Sequence, residues 1–442
     1  MIELLFISLI LFFILAFYLK FMKNTVFGMS LQKGHYPGFF FFYEFIVFIV
    51  PSSVLLNIYP IEDFWVAFKV KQEMVFSTTL IILLSYSLMV FILFLIARAA
   101  PKYFRYEKPV LSSSDINTYQ KFVVFSVVFS LLLIVVAWLF FGTGHSFIKS
   151  FSLGQSISQA RLELTDSALT KFLKYYFIII SPLLAAIIAS PVFKDNRWSR
   201  MLLLFSVILM ASWGGSKGPL LSLFIIYFIT SATFSNYKLR AKSFFIGVAL
   251  LFLLMFLVYQ VVLLQYPHLK DVTLFLDYFL QRVFVAQMIG IYEQFSLNIH
   301  NTLYFLHGIP FASFFIDFPV FQKDLMMISE DRVDPSTIGI KNTYFVAEAY
   351  AMGGWFFILP AVFIYAINFA LSYLMVLFVF NKFLVRNLSF NKVIVAIFLF
   401  SYLGVTGGFS DILLFKVMIM LFILMSPVFL IGYFSRFKIK MN

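Results

Sequence analysis

A chain of 442 residues that is 62% hydrophobic and only 12% charged cannot be an ordinary soluble domain, which carries about 25% charged residues. Its formal charge of +13 lies between long apolar runs, so it reports membrane topology and contact with anionic lipid rather than nucleic-acid binding. Cysteine is absent, which excludes disulfides, thiolate catalysis and cysteine metal sites.

About twenty apolar residues in a helix cross a hydrocarbon layer of ~30 Å. On that measure the sequence predicts an all-α polytopic membrane protein. Eleven spans are expected, at roughly 2–19, 38–57, 74–97, 121–142, 172–193, 201–213, 218–234, 244–264, 350–380, 393–406 and 412–434. The first run lacks a basic leader and a small-residue cleavage site, so it reads as a retained span rather than a signal peptide. The runs at 201–213 and 393–406 are short for a crossing, and that at 350–380 is long and is expected to start as an outer half-helix or to tilt strongly. The loops at 20–37, 98–120, 194–200, 235–243 and 381–392, Lys121 and the tail from 435 together hold 20 of the 33 Lys and Arg residues. The positive-inside rule makes that side the cytoplasm, with the N-terminus outside and the C-terminus inside.

Two segments on the other side are too large for turns: 143–170, and 265–342, which reads as a small subdomain. Within the second, 273–295 is expected as one helix, apolar around most of its surface. The run 303–321 is broken by Gly308, Pro310 and Pro319 and is expected in or on the membrane surface. The polar stretch 329–342, with Pro335 and Gly339, is the candidate mobile lid. A carrier built only of helices needs no such subdomain, whereas an enzyme acting on a lipid-linked substrate at the outer surface does.

Motifs for several chemistries are missing. No D-x-D, H-E-x-x-H, G-x-x-x-x-G-K-[ST] or G-x-S-x-G occurs, and the five histidines have no metal-ligand spacing. No metal and no cofactor is expected. What remains is a small set of polar residues at or near membrane depth. Lys217 sits in a Gly-Gly-Ser-Lys-Gly turn (214–218) after a short run; a cation there needs a partner, either a substrate anion or a carboxylate such as Glu348 or Asp411. Arg161, in SISQARLELTDSALT, either contacts a substrate or lies on the surface near Glu163 and Asp166. Arg282, flanked by the apolar run VFV, suits bidentate recognition of a diphosphate or a buried ion pair. His307 and Glu348 are candidates for proton transfer, with Tyr350 and Asp411 as weaker substrate contacts, while Lys416 is expected to snorkel outward.

The order of these pieces resembles that of the Wzy-type O-antigen polymerases, or oligosaccharide repeat-unit polymerases. The resemblance is carried by Arg161 in ISQARLEL, the GGSKG turn, LQRVF, HGIPFASFFIDFP and IKNTYFVAEAYAMGGWFFILP, over most of residues 140–365. Lys217 stands where the family's turn usually carries arginine. The resemblance implies a GT-C-type glycosyltransferase of the bacterial inner membrane with its active site facing the periplasm. It would act on undecaprenyl-pyrophosphate-linked oligosaccharides and work beside a chain-length-regulating co-polymerase. Arg161, Lys217 and Arg282 would hold the diphosphate, and Glu348 or His307 would act as base. An O-antigen ligase of the same superfamily, or a lipid-linked repeat-unit flippase, are the alternatives.

Overall fold

The computed structural model describes residues 2–30, 34–141, 168–214, 217–235, 253, 271–312, 315–332 and 340–435. The expected span at 244–264 (apart from Leu253), most of the 143–170 loop with Arg161, the centre of the 329–342 stretch and the side chain of Lys217 lie outside these residues.

Among the described residues the chain is helical, and β-pairing is confined to two isolated bridges. In order the main helices are α1 (Ile2–Phe21), α2 (Phe39–Ile58), α3 (Gln72–Ala99), α4 (Ser113–Phe141) and α5 (Ala168–Ala189). Then come α6 (Arg197–Ser212), α7 (Lys217–Ser235), α8 (Thr273–Val285), α9 (Ile289–Leu297) and α10 (Phe321–Ser329). The last are α11 (Phe345–Gly353), α12 (Trp355–Phe383), α13 (Leu388–Phe400), α14 (Ser410–Leu413) and α15 (Lys416–Ser435). Eight of these, α1–α5, α7, α12 and α15, are long and apolar enough to cross a membrane. The protein is a multi-pass membrane protein.

The differences from the expected spans have local causes. The 273–295 segment is two helices, α8 and α9, meeting at 68°. The bend follows a π-helical turn at Gln281–Val285, a common site of helix distortion. The 350–380 run is divided at Gly354, whose φ of 68° is left-handed and favours glycine. Residue 201–213 becomes α6, with Asn196 capping its start by accepting from the Ser199 N–H at 3.0 Å. The 393–406 run is helical only to Phe400, giving a 13-residue helix ~20 Å long.

That short helix is the centre of the bundle. Every residue of α13 from Phe390 to Phe400 is buried, and from Val393 onward the helix is apolar on all faces because it has neighbours on all faces. α12 packs against α3 and α13, and α5 packs against α6 and α7. α1 lies at the edge and is largely exposed, whereas most of α5 is buried. Rings of Phe27, Phe104, Phe369, Tyr373 and Phe400 pack on one another with centroids 5.0–6.2 Å apart, filling the core near the basic loops.

The loops form two groups. The basic ones join to each other: Val26 N–H donates to the Phe104 carbonyl at 2.8 Å, Lys392 Nζ to the Arg105 carbonyl at 3.2 Å, and Asn387 Nδ2 to the Val110 carbonyl at 2.8 Å. The long acidic ones join likewise. The 59–71 loop donates its Trp65, Phe68 and Lys71 N–H groups to Gln281, Glu293 and Ser296 at 2.9–3.3 Å. Trp65 stacks on Tyr278 at 4.8 Å. The flanks of the 329–342 stretch are tied down by Lys69–Asp331 at 2.5 Å and by buried Lys341, 3.0 Å from Glu293 and 3.4 Å from Glu330.

Two expectations follow from this packing. A β-carbon at Gly38 would overlap the Phe27 carbonyl, which is backbone and cannot swing aside, whereas one at Gly218 meets nothing within 4 Å. Gly38→Ala should therefore cost about 1–3 kcal/mol and Gly218→Ala almost nothing, read as thermal midpoints in detergent. Lys341→Met would leave Glu293 charged and buried, a loss of about 3–5 kcal/mol. Lys69→Met, whose partner Asp331 is exposed, should cost under about 1 kcal/mol.

Candidate functional site

The candidate site is built around the stretch 401–409, which follows α13 without helical structure. Its backbone polar groups are met by side chains and backbone of other spans. Glu44, on α2, accepts from the Val405 N–H at 2.6 Å and from Thr406 Oγ1 at 3.3 Å. Tyr365, on α12, donates to the Gly404 carbonyl at 2.8 Å, and the Phe345 N–H donates to the Val405 carbonyl at 3.1 Å. Gly404 is required by close approach, since a β-carbon there would overlap the Glu44 carboxylate. Tyr365 lies ten residues into α12, ~15 Å from its start, so the break lies against the interior of a long apolar helix. Non-helical backbone is tolerated there only where protein or a water-filled cavity surrounds it.

Glu348 closes the other end of the break. It lies in the first turn of α11 and is fully buried; its Oε2 accepts from the Ser410 N–H at 2.9 Å. Its Oε1 has no hydrogen-bond partner among the described residues and lies 3.9 Å from His307 Nδ1. The same His307 nitrogen is 2.9 Å from Ser410 Oγ. His307 is carried by the 3₁₀ turn Thr302–Gly308, which packs on α14 because Gly308 lets the two backbones approach. Gly408 leaves room for the Glu348 carboxylate and the Gln322 amide, both of which a β-carbon would crowd at 2.7 and 3.0 Å. Asp411 follows directly, with Lys416 Nζ 3.9 Å from its Oδ1. Lys416, partly buried at the start of α15, is directed toward Asp411.

The fold therefore brings Glu348, His307 and Asp411 together from three segments, as a carboxylate–imidazole group beside a glycine-rich break. Such a group can accept a proton from a hydroxyl or pass one along. Among the described residues, no three His, Asp or Glu side chains converge as a metal-ligand set.

Other expected residues stand elsewhere. Tyr350 lies on a different face of α11, stacked on Phe295 at 4.5 Å with its hydroxyl 2.5 Å from Asn298 Oδ1. Arg282 is exposed on the π-helical turn of α8, which packs against α2, and has no ion-pair partner among the described residues. Lys217 opens α7 as its first residue. A second cation neighbours that turn: the Lys174 side chain on α5 lies against Gly214, where a β-carbon would be 3.3 Å from its Cγ.

Sequence reasoning passed over Glu44, Ser410 and Gln322. Glu44 carried a usable signal, being the single charge in an otherwise apolar span. Ser410 and Gln322 carried none, since their roles come from where a loop lands. Tyr304 and Asp324 form a further pair under the 3₁₀ turn, the hydroxyl donating to Oδ2 at 3.1 Å.

No protein family, curated protein or solved structure matches this chain at a significant level.

Burial raises the Asp324 carboxyl above its ordinary value of 3.8, an effect the Tyr304 hydroxyl and Lys323 only partly offset. A carboxyl raised in the folded state stabilises fully below its unfolded value, and that contribution is lost as pH rises through the folded value. The melting temperature of the protein should therefore fall, relative to Asp324→Asn, as pH rises from about 4. Parallel curves for the two proteins would contradict this assignment.

Proposed function

We propose that the protein is a polymerase of lipid-linked oligosaccharide repeat units, a GT-C-type glycosyltransferase of the kind its sequence resembles. In this reading the long acidic loops face the periplasm and the basic loops the cytoplasm of a bacterial inner membrane. The donor is a growing glycan on undecaprenyl pyrophosphate, and the acceptor is a repeat unit on the same lipid. The observation that supports it most is the free Oε1 of Glu348, 3.9 Å from His307, in a buried position beneath long loops.

The acceptor hydroxyl attacks the anomeric carbon of the donor. A new glycosidic C–O bond forms, the bond to the pyrophosphate breaks, and undecaprenyl pyrophosphate leaves with the electron pair. Glu348 takes the hydroxyl proton, and His307, held by Ser410, is its neighbour for passing that proton on. Arg161, Lys217 and Arg282 supply positive charge for the leaving diphosphate, the electrostatic contribution that weighs most in such transfers. A co-polymerase that sets chain length is the expected protein partner.

One observation favours a second reading. A helix broken inside the bundle, with carboxylates at the break, is also how carriers build substrate and ion sites. This supports a lipid-linked repeat-unit flippase, while an O-antigen ligase shares the chemistry of the first reading.

The test is incubation of the purified protein with a defined undecaprenyl-pyrophosphate repeat unit. A glycan ladder is expected, lowered about 10²–10⁴-fold in Glu348→Gln and about 10²–10³-fold in Arg282→Ala, with melting temperatures unchanged. Transfer only when lipid A core is supplied would assign a ligase. Absence of both, with movement of the lipid-linked unit across proteoliposomes, would assign a flippase.

A further inference from the structure

The edge helix α1 does not close against α3 along its whole length. Between them runs a groove of about 430 Å³, lined by Ile10, Phe13 and Phe17 on one side and by Ser87 and Phe91 on the other, with Lys20 at its end. From Ile10 to Phe21, the last residue on its α1 wall, is ~17 Å at 1.5 Å per residue. That is about half of a ~30 Å hydrocarbon layer, the depth of one leaflet.

The end of the groove carries charge of one sign. Lys20 Nζ lies 5.4 Å from the Phe21 ring, and Arg98 Cζ lies 5.7 Å from the Phe94 ring. The two rings are 5.6 Å apart, so both cations flank one aromatic pair. This is the end where the basic loops meet, as the Val26–Phe104 hydrogen bond records.

A cleft one leaflet deep, apolar along its wall and doubly basic at its mouth, matches a molecule with a single acyl chain's reach and an anionic head. We infer that it is a binding site for an anionic phospholipid. One acyl chain lies between α1 and α3, and the phosphate lies between Lys20 and Arg98. Phenylalanine rings at the mouth hold the cations in place by cation–π contact. The site does not depend on the catalytic reading. Its consequence is mechanical: the lipid fills the seam that keeps α1 on the bundle.

Native mass spectrometry of the full chain released from nanodiscs tests it, with phosphatidylglycerol and phosphatidylcholine of identical acyl chains as probes. Retention of phosphatidylglycerol over phosphatidylcholine is expected. Lys20→Ser with Arg98→Ser should weaken that retention about thirtyfold, at about 1 kcal/mol per cation. Ala16→Trp, which fills the groove from α1, should release both lipids while keeping Lys20 and Arg98. Melting temperatures without added lipid check that each variant is folded. Equal phosphatidylglycerol retention by the parent and both variants would overturn the site, leaving only non-specific annular lipid. Tighter retention of undecaprenyl phosphate than of phosphatidylglycerol would overturn the assigned occupant, as would a dimer that Ala16→Trp disrupts without change in bound lipid.

Discussion

In hydrocarbon, a backbone N–H or C=O without a partner costs several kcal/mol, and this requirement explains the arrangement around residues 401–410. α13 stops after 13 residues and the chain cannot resume a helix until Ser410. The exposed backbone is met by Glu44 from α2, Tyr365 from α12 and Glu348 from α11. The break therefore dictates which side chains must converge on it, and the convergence is what creates a polar centre inside an apolar bundle. Glycine at 404 and 408 follows from the same need, because the carboxylates must come close to the main chain. Glu348 is thus held by one oxygen and free by the other, a division of labour that suits a proton acceptor whose position must not drift.

The long spans were legible because twenty apolar residues have few other uses, and the runs at 2–19, 74–97 and 218–234 correspond to α1, α3 and α7 within a few residues. The run 350–380 was legible as too long for one crossing, either one tilted helix or one that begins with an outer half-helix. Its Gly-Gly pair reads equally well as small residues within a helix, and only the left-handed backbone at Gly354 separates the cases. The bend in 273–295 was hidden for a similar reason: a π-turn has no composition of its own. His307, Glu348 and Asp411 could be picked out one at a time as polar residues in apolar surroundings. That they meet could not be, because His307 and Glu348 are 41 positions apart and are joined through Ser410, an ordinary serine. Glu44 was missed although its isolation in an apolar span was visible from the start.

The two ends of the bundle are built differently. At the basic end, backbone pairing of 24–26 with 104–106, side-chain donation to carbonyls by Lys392 and Asn387, and a cluster of aromatic rings join the loops. At the other end, contacts between loops are made by side chains reaching to backbone N–H groups and by ion pairs such as Lys341–Glu293.

The ties of the 59–71 loop also bear on the order in which the chain is made. Its Trp65, Phe68 and Lys71 N–H groups find their partners at Gln281, Glu293 and Ser296, more than 210 residues later. At typical rates of about 5–20 residues per second, the ribosome needs on the order of ten seconds or more to supply them. Throughout that interval the first three spans are in the membrane while the loop between the second and third remains bonded to water. The amino-terminal third is therefore inserted early but finished late, and a chain truncated before α8 would leave it permanently unfinished, a ready substrate for membrane quality control.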